Sequence, residues 1–286
     1  MEGSVKARAL QFQRFTRLER TLHALMIVSF IALALTGMTL KFSYTSWAAF
    51  LSRRLGGFES AGFIHRASAV LMFGLFVAHL WDLNRKRRED YDGSLLKMIL
   101  GPDSMLFGRR DLSEFVASIK WFVGVGARPH YGRWTYWEKF DYFAVFWGIF
   151  VIGSTGLMLW FPVFFTRFLP GWLINVATII HSDEALLAVA FIFTIHFFNT
   201  HFRPDKFPLD PVIFTGRVPL VELKHDKPAE YEQFLAGRSE AEVEPELVGP
   251  SHPRFERFAR IFGFTALGIG LTLIALIVYA MVFGYR

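Results

Sequence analysis

Six of the nine histidines in this 286-residue sequence fall inside, or at the ends of, long apolar stretches: His23, His65, His79, His181, His196 and His201. The other three, His130, His225 and His252, lie in polar segments and read as surface residues. An ionisable ring in hydrocarbon is expensive, so its presence there points to a function. His65 and His79 are 14 residues apart, about 1400° of helical rotation and about 40° short of four turns. His181 and His196 are 15 apart, about 60° past four turns. Each stretch thus carries two imidazoles near one face, about 21–23 Å apart along the axis. Facing each other from neighbouring helices, such rings form two layers, as two stacked b-type haems require, each iron taking one neutral imidazole nitrogen from each of two helices. A zinc-type centre would need three or four ligands at one depth, where His65 and His181 have only Asp183 and Glu184 nearby. A proton relay of His and acidic side chains is the other alternative. Neither accounts for two separate layers as directly. His201, about 200° around a helix from His181, is expected to face elsewhere.

The elements that must hold these rings are membrane-spanning helices. Hydrophobic residues make up 53% of the chain and charged residues only 20%, and the mean hydropathy is +0.33, too apolar for a soluble domain. There is no Cys, which excludes disulfides, thiolate metal sites, Cys-held iron–sulfur clusters and covalently attached c-type haem. Five stretches are long enough to cross a bilayer, at about Leu22–Lys41, Phe63–Leu83, Phe140–Phe161, Leu173–His201 and Ala259–Phe283. The polar, basic first twenty residues leave no cleavable signal ahead of the first span. Only six of the 31 Lys and Arg residues fall on one side of these spans (Lys41, Arg53, Arg54, Arg66, Arg167 and Arg286). The other side carries the rest, including the run Arg85–Arg88, and so is expected to be cytoplasmic, with the N-terminus there and the C-terminus periplasmic. The net charge of +6 therefore reports topology and implies no nucleic acid. Arg85–Arg88 read first as topogenic, lipid-facing residues and only second as propionate partners. In the long loops, Asp111–Val123 has the spacing of an amphipathic helix on the membrane surface, and Pro228–Leu235 that of a short soluble helix. Glu240, Glu242, Glu244 and Glu246 are most simply a solvated loop.

The first four spans look duplicated. An offset of 119 lays Glu19 on Glu138, Arg20 on Lys139, Thr36 on Thr155, Gly37 on Gly156, Leu40 on Leu159 and Phe42 on Phe161. An offset of 116 lays His65 on His181. A two-helix hairpin repeated in the same direction implies an axis along the membrane normal. The Thr-Gly pairs suit close approach of helices or of a flat macrocycle.

The segment ERTLHALMIVSFIALALTG at 19–37, the His65 start of the second span and residues 131–202, which include STGLMLWFP and IIHSDEALLAVAFIFTIHFF, resemble the membrane cytochrome b subunits of respiratory formate dehydrogenases, hydrogenases and thiosulfate reductases. The likeness covers spans one to four, about two-thirds of the chain. It implies that His65 and His181 ligate one haem b and His23 and His196 the other, with quinone near the second. It also implies a partner subunit, a multihaem cytochrome c or an iron–sulfur protein. His79 and His201 are extra to that pattern. They leave a third haem open, and the repeat alone would pair His79 with His196; His201 could instead meet a quinone, a propionate or lipid head groups. Arg66 is a candidate propionate partner or a snorkelling interfacial residue. Asp183 and Glu184 suit a helix N-terminus, proton exchange with quinone being the functional alternative. Span five and the loop 203–258 have no counterpart in the formate dehydrogenase subunit and could dock another subunit.

The expected fold is an all-α integral membrane protein: a four-helix haem-binding bundle over 1–202 with a cytoplasmic insert at about 84–139, a cytoplasmic loop over 203–258 and a peripheral fifth helix over 259–286. The expected function is transmembrane electron transfer between the quinone pool and a partner, as the electron-transfer subunit of a quinone oxidoreductase complex in a prokaryotic inner membrane, with no catalytic residue of its own. A cofactor-free, His-lined proton-coupled transporter and a non-redox membrane anchor are the alternatives.

Overall fold

The computed structural model describes residues 10–204 and 206–284; Lys6, Arg8 and Arg286, which count toward the charge asymmetry of the chain, lie outside them. Five helices are long and apolar enough to cross a membrane: Arg17–Lys41, Phe58–Glu89, Tyr136–Trp160, Trp172–Phe202 and Pro253–Phe283. They coincide with the five expected stretches but begin earlier, because apolarity marks only the part in hydrocarbon while polar caps set the ends. Two of those caps are copies of each other. Before span one, the Thr16 backbone N–H and hydroxyl donate to Glu19 at 2.7 and 2.9 Å. Before span three, Thr135 donates in the same way to Glu138, both at 2.7 Å. Thr16 and Thr135 are again 119 residues apart, so each hairpin of the repeat opens with the same T-x-x-E capping box.

Span four is α-helical only from Trp172 to Phe191. It continues as two π-helical turns, Ile192–His196 and Phe198–Phe202, closed by i→i+5 bonds from Phe197 N–H to Ile192 O and from Arg203 N–H to Phe198 O.

The chain forms two compact units. One takes Leu22–His79, Phe143–Asp210 and the described part of Ile261–Arg286. Its core joins spans one, four and five through Ala34, Met38, Val189, Phe193, Phe197, Leu273 and Ile277. Span five, expected at the periphery, thus shares the packed centre of this unit. The other unit takes the described part of Met1–Thr21, with Leu80–Tyr142 and Pro211–Arg260. Here strand Gln11–Gln13 pairs antiparallel with Arg217–Pro219 over a core of Phe15, Val212, Val218, Leu220, Leu223 and Tyr231. The expected helices are present as Arg109–Phe122 and Pro228–Leu235. The glutamates of the run are solvated as expected, but the run is not a loop: Glu240–Val243 is a short helix and Glu244–Glu246 a 3-10 turn. A capping box from Ser239 to Glu242 and the buried Val243 organise it, features that alternating charge conceals.

Candidate functional site

His65 and His181 meet. Their ring centroids are 6.2 Å apart and their planes cross at 77°. An edge-to-face aromatic contact covers the same range, so the partners of the ring nitrogens decide what the pair can do. The Thr36 hydroxyl lies 2.6 Å from Ala32 O and 2.9 Å from His65 Nδ1; with its hydrogen on the carbonyl, it accepts from the ring. The Leu33 carbonyl also takes a hydrogen bond from His65. Across the pair, His181 Nδ1 lies 2.9 Å from Ile152 O, and Thr155, whose hydroxyl donates to Val151 O at 2.7 Å, stands 3.4 Å away. A carbonyl only accepts, so His181 carries its hydrogen on Nδ1 and keeps the Nε2 lone pair for a ligand, and the equivalent Thr36 contact suits the same tautomer in His65. A ligating histidine is oriented in this way, its other N–H bound to a carbonyl or hydroxyl.

The two half-sites are equivalent in the repeat. Leu33 and Ile152, like Thr36 and Thr155, are 119 residues apart. Gly37 and Gly156 complete the copy. A Cβ on Gly37 would stand 3.2 Å from His65 Cε1, and one on Gly156 3.0 Å from His181 Cε1. Each ring is thus cradled where only glycine leaves room. If a haem iron were bound here, His65 and His181 would be the residues to hold it, and the imidazole donors and the glycine cradle suit that role.

The remaining histidines form a second group. His23, His196 and His201 lie within electrostatic reach of one another. His23 Nδ1 is buried without a hydrogen-bond partner among the described residues. His79 packs edge-on against Phe146, centroids 6.1 Å apart. His201 does not point away as expected. It is buried, and the π turns explain why: each i→i+5 turn winds the helix face back by about one residue, or 100°. Its Nδ1 accepts the Asp210 N–H at 3.3 Å, which leaves the hydrogen on Nε2. His201 is therefore set up to donate to an oxygen rather than to present an Nε2 lone pair. No pattern of single residues could have revealed the π turns; the only trace in the sequence is a spacing of 15 in span four against 14 in span two.

The supporting residues divide. The Arg66 guanidinium lies over the Trp160 ring at 5.9 Å. Asp183 is paired with Lys41 Nζ at 2.7 Å, and Glu184 accepts from Trp147 Nε1 at 3.3 Å. In the other unit, Arg85 and Lys86 are paired with acidic side chains: both hold Asp82, at 2.7 and 3.0 Å, and Lys86 also holds Glu19 at 2.6 Å. Sequence reasoning passed over Asp82, which is almost fully buried; a lone acid three residues before a basic run is the signal that was present. Among the described residues no group of three or more His, Asp or Glu side chains is arranged to hold a metal ion.

No family model and no curated protein matches this chain.

Proposed function

We propose that this chain is the cytochrome b subunit of a respiratory membrane complex, holding two b-type haems and passing electrons between the quinone pool and a redox partner subunit. The observation that carries this reading is the His65–His181 pair, two imidazoles whose Nδ1 atoms are held by equivalent residues of a repeat, an arrangement that leaves Nε2 to a ligand. The bound haem supplies a reversible one-electron centre. The chain's own contribution is ligation, orientation and burial. Thr36 and the Leu33 carbonyl fix the His65 ring, Thr155 and the Ile152 carbonyl fix His181, and such bonds raise the basicity of a ligating nitrogen. His23 and His196 are the second ligand pair on this reading. With its hydrogen on Nε2, His201 would donate to an oxygen acceptor such as a quinone carbonyl or a propionate, so two haems fit the donor set better than three. The basic side of the chain faces the cytoplasm of a prokaryotic cell. The partner is a multihaem cytochrome c or an iron–sulfur subunit.

Pyridine haemochrome analysis of the purified protein tests this. Two b haems per chain are expected, with about half lost in His65→Ala or His181→Ala. A colourless, correctly inserted protein from haem-replete cells would overturn the proposal.

A further inference from the structure

The helix Arg109–Phe122 is built inside out. Its buried residues are polar: Asp111, Glu114 and Ser118. Each has a partner within the same unit, although Glu114 Oε2 is buried without one among the described residues. Asp111 Oδ2 accepts from Lys139 Nζ at 3.0 Å, Glu114 Oε1 from Arg110 Nε at 2.8 Å, and the Ser118 hydroxyl lies 2.7 Å from Tyr131 Oη. The side chains turned outward are Leu112, Phe115, Val116, Ile119, Phe122 and, just past its end, Val123, with Leu112 67% and Phe122 71% exposed. At 100° per residue the outward apolar side chains fill an arc of about 120°, and Arg109 and Lys120 stand beside its edge. A soluble helix buries the opposite face. Such an outer face is stable only against something apolar.

The place where this helix is fastened says what that is. Lys139, which holds Asp111, is in the first turn of span three, and the Phe115 ring packs edge-on against Tyr136, the first residue of that span, at 5.4 Å. Tyr136 contacts Trp137 at 4.9 Å, and Trp137 contacts Tyr131 at 5.1 Å, an aromatic cluster of the kind found where a span enters the bilayer. A helix tied to that level, apolar outward and basic at its rim, has the form of one lying in the membrane plane. We infer that the helix Arg109–Phe122 is an in-plane anchor whose outer face is sunk into the boundary between lipid headgroups and acyl chains. This inference needs only the five spans and is independent of any haem.

The chain has no cysteine, so single cysteines introduced into the full-length protein carry a spin label at one defined place. Val116→Cys and Ile119→Cys report the apolar face, and Ser113→Cys, on the exposed polar side, serves as the internal reference. In proteoliposomes of phosphatidylethanolamine and phosphatidylglycerol, the ratio of oxygen to nickel-chelate accessibility at 116 and 119 is expected to exceed that at 113 several-fold. Labels at 116 and 119 open to the nickel chelate would overturn the inference by placing the face in water. Labels there closed to both reagents would overturn it by showing that protein covers the face. Conservative exchanges at the outward positions leave the polar attachments in place, and Val116→Cys and Ile119→Cys check each other against a local folding defect.

Discussion

Replacing Gly156 by alanine probes the imidazole pair without touching a ligand. The added methyl would stand 3.0 Å from His181 Cε1 and 3.3 Å from Nδ1, inside ordinary van der Waals contact. The ring has little freedom to yield, because its Nδ1 is tied to Ile152 O at 2.9 Å and His65 lies across from it. It must loosen that bond or slide toward its partner. Overpacking of this kind costs about 1–3 kcal/mol. Loss of an orienting bond to a ligating histidine lowers metal affinity about 10–100-fold, which is about 1.4–2.8 kcal/mol. The two routes agree in size, so Gly156→Ala is expected to weaken haem retention by about one to two decades. Gly37→Ala should do less, since its methyl meets His65 Cε1 at 3.2 Å and nothing else closer than 3.7 Å. The assay is haem per protein by pyridine haemochrome after competition with an apo haem acceptor. Full retention in Gly156→Ala, or greater damage from Gly37→Ala, would refute the cradle.

Further perturbations test the rest of the molecule. Burial holds the Glu114 carboxyl above its ordinary value despite the Arg110 guanidinium beside it, so the fold favours its protonated form and loses stability as pH rises from the ordinary carboxylate value through the raised one; Glu114→Gln should therefore gain on the wild type in thermal stability as pH rises through that range, and a difference that stays constant from acid to neutral pH would contradict this. Gly270→Val would drive a Cβ to 2.6 Å from Phe193 and 2.8 Å from Phe197 and should cost about 1–3 kcal/mol or more, seen as a lower melting temperature in detergent; an unchanged melting temperature would mean that span five is not packed in the core.

Much of the architecture is written in patterns that need no partner to be seen. The spans are apolar runs of sufficient length, the amphipathic helix at 109–122 has a visible period, and the duplication is carried by Thr-Gly and Glu coincidences that apolar bias does not supply. The His65–His181 pair could be anticipated because it rests on one regular period within each of two helices. What escaped is what depends on three-dimensional satisfaction. The apolar period at 112–123 shows that a helix has two faces, but only the bonds of Asp111, Glu114 and Ser118 show which face is turned inward. Asp82 carries no motif, yet two basic side chains close over it. Span five is uniformly apolar, and only its packing, with Leu273 and Ile277 in the core and Gly270 close against Phe193 and Phe197, shows that it joins the centre of the unit.

The position of His201 illustrates the same limit and offers a sharp test of the reasoning. A regular α-helix would place it about 200° from His181, whereas the two i→i+5 turns bring it back toward the inward side, where it is buried beside Phe197, ring centroids 6.2 Å apart. A π turn is one residue accommodated in an α-helix while the residues on either side keep their places. Deleting Phe198, whose side chain is exposed and whose carbonyl closes the second turn, should therefore convert that turn to α-helix. The faces of His196 and the residues after 202 would be kept. Deleting Ala188 from the regular part of the same span offers no such accommodation and rotates everything after it by about 100°. The expected result is near-normal haem content for the first deletion and loss of the His196-side haem for the second, measured by pyridine haemochrome and redox titration. Equal loss in both would mean that the π turns are not insertions into a regular helix, and the placement of His201 among the inward-facing histidines would need another cause.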